Sequence, residues 1–404
     1  MQLTRTEHAL WNRSFILCVL NNLFLFIYYF AMLTVLPLYI MQDLGGTVKE
    51  AGLALTLFLL SSIGIRPFSG LIIQRLGKRL ALRGAGILFV LFAFSFVWVD
   101  SMWSLLLLRF LHGFWFSILT TVNVPVVNDF IPEQRKGEGM GYFVMSTNLG
   151  VVFGPVVALT MIQITSYSHL FLLLAVVSGI GFIFTFMLNV QDEATERVTQ
   201  QTEPAKLNLH DIIETKVLAI GSVALLTALA YSSITSFITA FAESQNLLPY
   251  ASVFFIVFAV SMIVVRPWVG RRYDRQGPSS VIYPSFVFFA VGLILVSFVD
   301  GVWLLWCSAV FIGIGYGSLF PCMQTIAIQS VSKQRMGHGI STFFTLFDLG
   351  LALGSVCMGL LIAWFGFQKT YWLCAVLVML TLWIYRTTVA QQLQAQKDTS
   401  ISSK

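Results

Sequence analysis

Residues 66–77 read Arg66-Pro67-Phe68-Ser69-Gly70-Leu71-Ile72-Ile73-Gln74-Arg75-Leu76-Gly77, and residues 266–277 read Arg266-Pro267-Trp268-Val269-Gly270-Arg271-Arg272-Tyr273-Asp274-Arg275-Gln276-Gly277. Arg66, Pro67, Gly70, Arg75 and Gly77 fall on Arg266, Pro267, Gly270, Arg275 and Gly277, an offset of 266 − 66 = 200 residues. The same offset carries Asp100 and Trp103 onto Asp300 and Trp303, and Gly113 onto Gly313. It carries Gln134, Arg135, Gly137 and Gly139 onto Gln334, Arg335, Gly337 and Gly339, and Leu149, Gly150 and Gly154 onto Leu349, Gly350 and Gly354. One register held over most of the chain implies two copies of one unit running in the same direction. In an apolar chain, parallel repeats point to a carrier whose halves rock about a central site.

The chain is apolar. Of its 404 residues 57% are hydrophobic and 10% charged, and the mean hydropathy is +0.83, whereas a soluble domain carries about 25% charged residues. Most of the surface must therefore face lipid. The apolar runs are long, which fits membrane-spanning helices and excludes the alternating pattern of a membrane barrel. Met1 to Trp11 is polar and the first apolar run is too long for a signal-peptide core, so no cleaved leader is expected. The five cysteines, Cys18, Cys307, Cys322, Cys357 and Cys374, all lie in apolar runs without metal-site spacing and read as small buried hydrophobes. No metal and no cofactor is expected. The net charge of +6 comes from basic residues in short loops, which argues against nucleic acid as a partner.

Twelve apolar segments can be drawn, at about 13–40, 50–73, 80–99, 102–128, 138–164, 168–189, 215–240, 250–270, 280–299, 302–330, 338–364 and 369–388. Each is near or above the roughly 20 residues a helix needs to cross a bilayer. This divides the chain into a six-helix bundle (1–189), a polar linker (190–214), a second six-helix bundle (215–390) and a polar tail (391–404). Of the 24 Lys and Arg, 19 fall on one side, only Lys49 and Lys369 on the other, and Arg66, Arg109 and Arg266 within apolar segments. The excess predicts both termini and the linker in the cytoplasm.

Three local patterns carry a family resemblance. The loops after segments 2 and 8 place Arg75, Gly77, Lys78 and Arg79, and Asp274, Arg275 and Gly277, in basic turns between glycines. Segment 4 contains Arg109-Phe110-Leu111-His112-Gly113, and segment 5 contains Gly150-Val151-Val152-Phe153-Gly154-Pro155. Together they resemble signatures of the major facilitator superfamily, the last one that of its proton antiporters. The Phe347-Asp348-Leu349-Gly350 stretch resembles bacterial sugar and metallophore exporters in the drug-efflux-type branch. The resemblance spans the chain. It implies an all-α twelve-helix fold and a monomeric, multi-pass exporter of the inner membrane, moving a small organic solute against protons by alternating access. A narrow-specificity metabolite exporter, importer or symporter is the alternative within transport. A membrane-bound enzyme or sensor is the alternative outside it, with no acid–histidine or Cys–His group near a loop to support it.

Two positions depart from the family pattern. Gln74 stands where an acid is usual, and Ala158-Leu159 where the antiporter signature ends in two glycines. Asp129, at the cytoplasmic end of segment 4, is the candidate acid for the first basic turn and Asp274 for the second. The charges then form either a latch on the cytoplasmic side or a solvated loop cluster of small energetic value. Gly154-Pro155 marks either a moving kink or a structural one.

Asp348 is the one acid of 18 deep in an apolar segment, about 11 residues in and roughly 16 Å down at 1.5 Å per residue. An intramembrane carboxylate is costly and functional by default; it reads as the proton carrier, with a fixed ion pair as the alternative. Arg109, too deep to reach the interface easily, is expected to bond backbone carbonyls or a titrating group and to share in proton coupling. His112 is expected to be a hydrogen-bonded structural histidine. Arg66 and Arg266 either snorkel inward or gate, and Arg66 is expected to pair with Asp348 in one state of the cycle. The cavity of this fold is lined by segments 1, 4, 7 and 10, which here offer Asn21, Asn22, Tyr28, Tyr29, Trp115, Asn123, Tyr231, Ser232, Ser236, Tyr316 and Gln324. That set is aromatic and polar without an acid, suited to amphipathic or neutral solutes.

Overall fold

Hydrocarbon offers the backbone no hydrogen bonds, so a chain of this composition must satisfy its peptide groups within each span. The structure, a computed structural model, describes residues 10–46, 48–191, 213–247 and 250–392. Most of the polar linker and the tail lie outside the described residues. Among the described residues, eleven helices are long and apolar enough to cross a membrane. They are α1 (Arg13–Gln42), α2 (Val48–Ser95), α3 (Met102–Asp129), α4 (Lys136–Ile162), α5 (Tyr167–Phe186), α6 (Leu218–Ser244), α7 (Ala251–Gln276), α8 (Ser279–Ser297), α9 (Val302–Gln329), α10 (Met336–Phe365) and α11 (Phe367–Thr387). No strand occurs among the described residues.

The 48 residues of α2 contain two helices, because Gly77 has non-helical dihedrals (φ 80, ψ 159). That break separates the runs the sequence places at 50–73 and 80–99. Gly277, with φ 85 and ψ 169, ends α7 at the corresponding turn. A left-handed φ costs glycine nothing, whereas a Cβ there meets backbone oxygen. Asn12 caps α1 by accepting from the Phe15 amide at 2.8 Å, and Ser101 caps α3 by accepting from Ser104.

Large apolar side chains cover the outside. Trp98, Trp103, Trp303 and Trp364 are all at least 72% exposed, tolerable because bilayer rather than water is the solvent there. Cys307 and Cys357 are exposed as well, and only Cys18, Cys322 and Cys374 are buried. The expectation of five buried cysteines is corrected accordingly. In a membrane protein an apolar residue gains nothing from the core that lipid does not also offer.

The chain forms two compact units. One comprises Met1–Glu133, Tyr142–Ile213 and Ser332–Ser341; the other comprises Gln134–Gly141, Glu214–Val331 and Thr342–Lys404. The first residues of α10 thus pack with the first unit, and those of α4 with the second. Within the first unit Gly150 and Gly154 lie on α1, where an added Cβ would come within 2.6 Å of Phe26 and 2.8 Å of the Ala31 nitrogen. Pro155 sits inside α4 directly after them.

Candidate functional site

Buried polar groups gather in one place in each unit, and each unit also carries one of the two basic turns. The first is the first half of α3, with Tyr28 of α1. Arg109 is 1% exposed, and its guanidinium carbon lies 4.2 Å from the Phe58 ring centroid. It makes no hydrogen bond or ion pair among the described residues, and its Nε is buried without a partner. The expected backbone or titrating partner is therefore replaced by a cation–π contact. The phenols of Tyr28 and Tyr29 are its near polar neighbours. His112 also departs from expectation: neither ring nitrogen makes a hydrogen bond of normal geometry. Aromatic rings hold it instead, Phe89 at 4.2 Å, Tyr28 at 5.3 Å and Phe96 at 5.7 Å.

The other α1 and α3 candidates divide. Tyr28 is buried with an unpartnered hydroxyl, and Tyr29 stacks on Phe116 at 4.7 Å. Asn21 donates to the Asn123 side-chain oxygen at 3.3 Å. The pair borders a cavity of about 10 Å³ with Leu25, Phe89 and Ser178, room for one water. Asn22 donates to Ser146 at 2.8 Å and Thr147 at 3.0 Å, fastening α1 to α4. Trp115 packs beside Phe114 at 5.0 Å.

The second place lies in the other unit. Tyr231 and Tyr316 stack with centroids 3.5 Å apart and planes 10° apart, flanked by Phe258 at 6.2 Å and Phe289 at 5.8 Å. Asp348, partly buried in the middle of α10, lies within electrostatic range of the Tyr316 hydroxyl. The aromatic set that the sequence reads as free of acid thus has one within electrostatic range, contributed by a helix outside the four expected to line the cavity. Ser232 donates to the Leu229 carbonyl at 2.7 Å, and exposed Ser236 bonds Ser355 at 3.0 Å. Gln324 is 1% exposed, with its side-chain oxygen unpartnered.

The remaining groups are the pair of basic turns. Lys78 meets Asp129 at 2.5 Å, while Arg75, Arg79 and Arg275 remain exposed. Asp274 does not pair with its own basic turn. Its carboxylate accepts from the Gly137 amide at 2.7 Å and the Glu138 amide at 3.0 Å, capping the start of α4, where unpaired amides and the helix dipole favour an anion. Gly270 sits against that start: a Cβ on it would lie 2.6 Å from the Glu138 Cα. At the corresponding position of the first unit, a Cβ on Gly70 would lie 2.6 Å from the His338 Cα. There the Gln74 side-chain oxygen meets the His338 Nε2 at 2.6 Å. The hydroxyl of Ser341 donates to the Arg66 carbonyl.

Neither helix arginine snorkels. Arg66 is 5% and Arg266 2% exposed; Arg66 donates to Thr120 at 3.3 Å and Ser62 at 3.4 Å, and Arg266 leaves Nε and one terminal nitrogen unpartnered. Arg66 and Asp348 belong to different units. Sequence reasoning missed His338, although the 200-residue offset places it on Glu138, beside the acid-to-glutamine exchange between Asp274 and Gln74.

Helices of bilayer length with ionisable groups held inside them define a multi-pass integral membrane protein of the transporter type. The family model of the Major Facilitator Superfamily matches residues 18–355 and again 251–400. The chain belongs to that superfamily, and is a transporter rather than an enzyme. It is 22% identical over 391 residues to the Multidrug resistance protein MdtG of Escherichia fergusonii, covering 92% of this chain and 93% of that one. It is 24% identical over 375 residues to the protein of the same name in Proteus mirabilis, covering 87% and 90%. Among solved structures, its fold is similar to the human organic anion transporter MFSD10 (TETRAN), with TM-score 0.77 and 14% identity over 92% of this chain and 98% of that one. It is also similar to FucP in the outward conformation, with TM-score 0.74 and 15% identity over 93% and 99%.

Proposed function

We propose that this chain is a proton-coupled exporter of small organic solutes in the inner membrane, working by alternating access between two six-helix repeats with cytoplasmic termini. The observation that carries the reading is Asp348, an acid in the middle of α10 within electrostatic range of Tyr316 in the Tyr231–Tyr316 stack. A carboxylate held there takes up a proton from one side and releases it to the other, and its charge changes beside the aromatic surface a solute would stack on. The multidrug-resistance designation of the MdtG relatives supports export of drug-like compounds.

In this reading the helix starts at Glu138 and His338 act as cytoplasmic clamps. Asp274 and Gly270 hold one, and Gln74 and Gly70 the other. Arg66, Arg266, Asp129 and the basic turns tune their release. Arg109 is the second buried charge of the cycle. The test is transport in proteoliposomes with and without a pH gradient, comparing wild type with Asp348→Asn.

A further inference from the structure

Two side-chain amides meet inside the first unit. Asn21 of α1 and Asn123 of α3 are 8% and 5% exposed, and Asn21 donates to the Asn123 side-chain oxygen at 3.3 Å. That bond uses one donor and one acceptor, whereas each amide offers two N–H and an oxygen. The Asn123 amide nitrogen is left buried with no partner. Exchanging N and O in both amides gives the same single bond, so the shortfall does not depend on how they are oriented. A buried N–H left without an acceptor is costly, and lipid supplies none.

The pair borders a cavity of about 10 Å³, and Ser178 of α5, 4% exposed, lines it as well. Apolar side chains of α1, α2, α3 and α5 complete the wall, and none of the lining residues is charged. A single water occupies about that much space and asks for about two to four polar partners. A solute is too large for it, and an ion would find no counter-charge.

The residues 200 positions further along fill the corresponding place. Asn21, Asn123 and Ser178 correspond to Gly221, Met323 and Val378, and Gly86, which also lines the cavity, to Phe286. Phe286, Met323 and Val378 are each 0% exposed and belong to one continuous apolar core. The frame is otherwise shared, with Phe89 and Leu119 matching Phe289 and Leu319. In the first unit the Phe182 ring lies over Gly86, where an added Cβ would overlap it, and takes part of the space. The rest is bordered by polar groups from three helices. Packing in this fold does not require them, and together they offer the donors and acceptors that one water uses.

We propose that Asn21, Asn123 and Ser178 form a binding site for one internal water, which completes the Asn123 amide and joins α1, α3 and α5. This joint is hydrated in the first unit and dry in the second. The inference does not depend on the direction or the coupling of transport.

The test is hydroxyl-radical labelling of the full chain in detergent by brief X-ray pulses, with oxidised side chains located by mass spectrometry. Radicals form in place from a held water, so a side chain beside one is oxidised even when buried. Phe89 lines the cavity and is 1% exposed; its counterpart Phe289 is 0% exposed, and Phe96, which does not line the cavity, is 1% exposed. Phe89 should be oxidised well above both. Asn123→Met and Ser178→Val introduce the side chains that the second unit has at these positions, and each should lower Phe89 oxidation to the level of Phe96. The second variant keeps the inference testable if the first does not fold. Phe89 no more oxidised than Phe96 in wild type, or Phe89 oxidation that survives either change in a folded variant, would overturn it. No solute and no gradient are present, so failure here is distinct from failure of Asp348→Asn in the transport assay.

Discussion

The Asp274 carboxylate accepts two backbone amides, Gly137 at 2.7 Å and Glu138 at 3.0 Å. Asp274→Asn keeps one acceptor oxygen, removes the charge, and turns an amide N–H toward a backbone N–H. One bond to a charged group, about 1.5–3 kcal/mol, is lost, and the remaining one becomes a neutral bond. The helix-dipole contribution of a few tenths to 1 kcal/mol goes with the charge. Taking about 2 kcal/mol for the net effect, the opening equilibrium of the α4 start shifts roughly thirtyfold. Hydrogen exchange followed by mass spectrometry on a peptide covering residues 134–141 reads this directly. Its amides should exchange roughly thirtyfold faster in Asp274→Asn, while a peptide from the middle of α3 stays as in wild type. Unchanged exchange at 134–141 would show that the carboxylate does not hold the helix start, and the clamp reading would fall with it.

Gly77→Ala forces a Cβ into φ 80 and should lower stability by about 1–2 kcal/mol. Gly84→Ala, at a helical site where a Cβ meets nothing within 4 Å, should be neutral or mildly stabilising; equal melting temperatures for the two variants would refute the strained-turn account. The pairing of Arg66 with Asp348 expected from the sequence predicts that Arg66→Gln and Asp348→Asn are non-additive in a double-mutant cycle on transport rate. Losses that simply add on a logarithmic scale would leave the two residues uncoupled.

The helices were legible because lipid imposes long apolar runs, and the break in α2 was legible because Gly77 stands between two of them. The local partners were not. Asp274 caps a helix 137 residues away, and no feature of Gly137 or Glu138 in the sequence announces an acceptor. Phe58 looks like any apolar residue of its segment, so its place over the Arg109 guanidinium was invisible. The exposure of Cys307 and Cys357 was equally hidden, since lipid-facing and core-facing residues share one composition. Asp348 stood out because charge in an apolar run is rare, yet its proximity to Tyr316 depends on how α9 and α10 pack within their unit.

The most direct test of the central claim is transport by Asp348→Asn in proteoliposomes carrying an imposed pH gradient, with insertion matched to wild type. The account predicts that gradient-driven accumulation is abolished while solute exchange without a gradient persists, because asparagine mimics the protonated acid but cannot release a proton. Accumulation at the wild-type rate would place the proton site elsewhere and contradict the account.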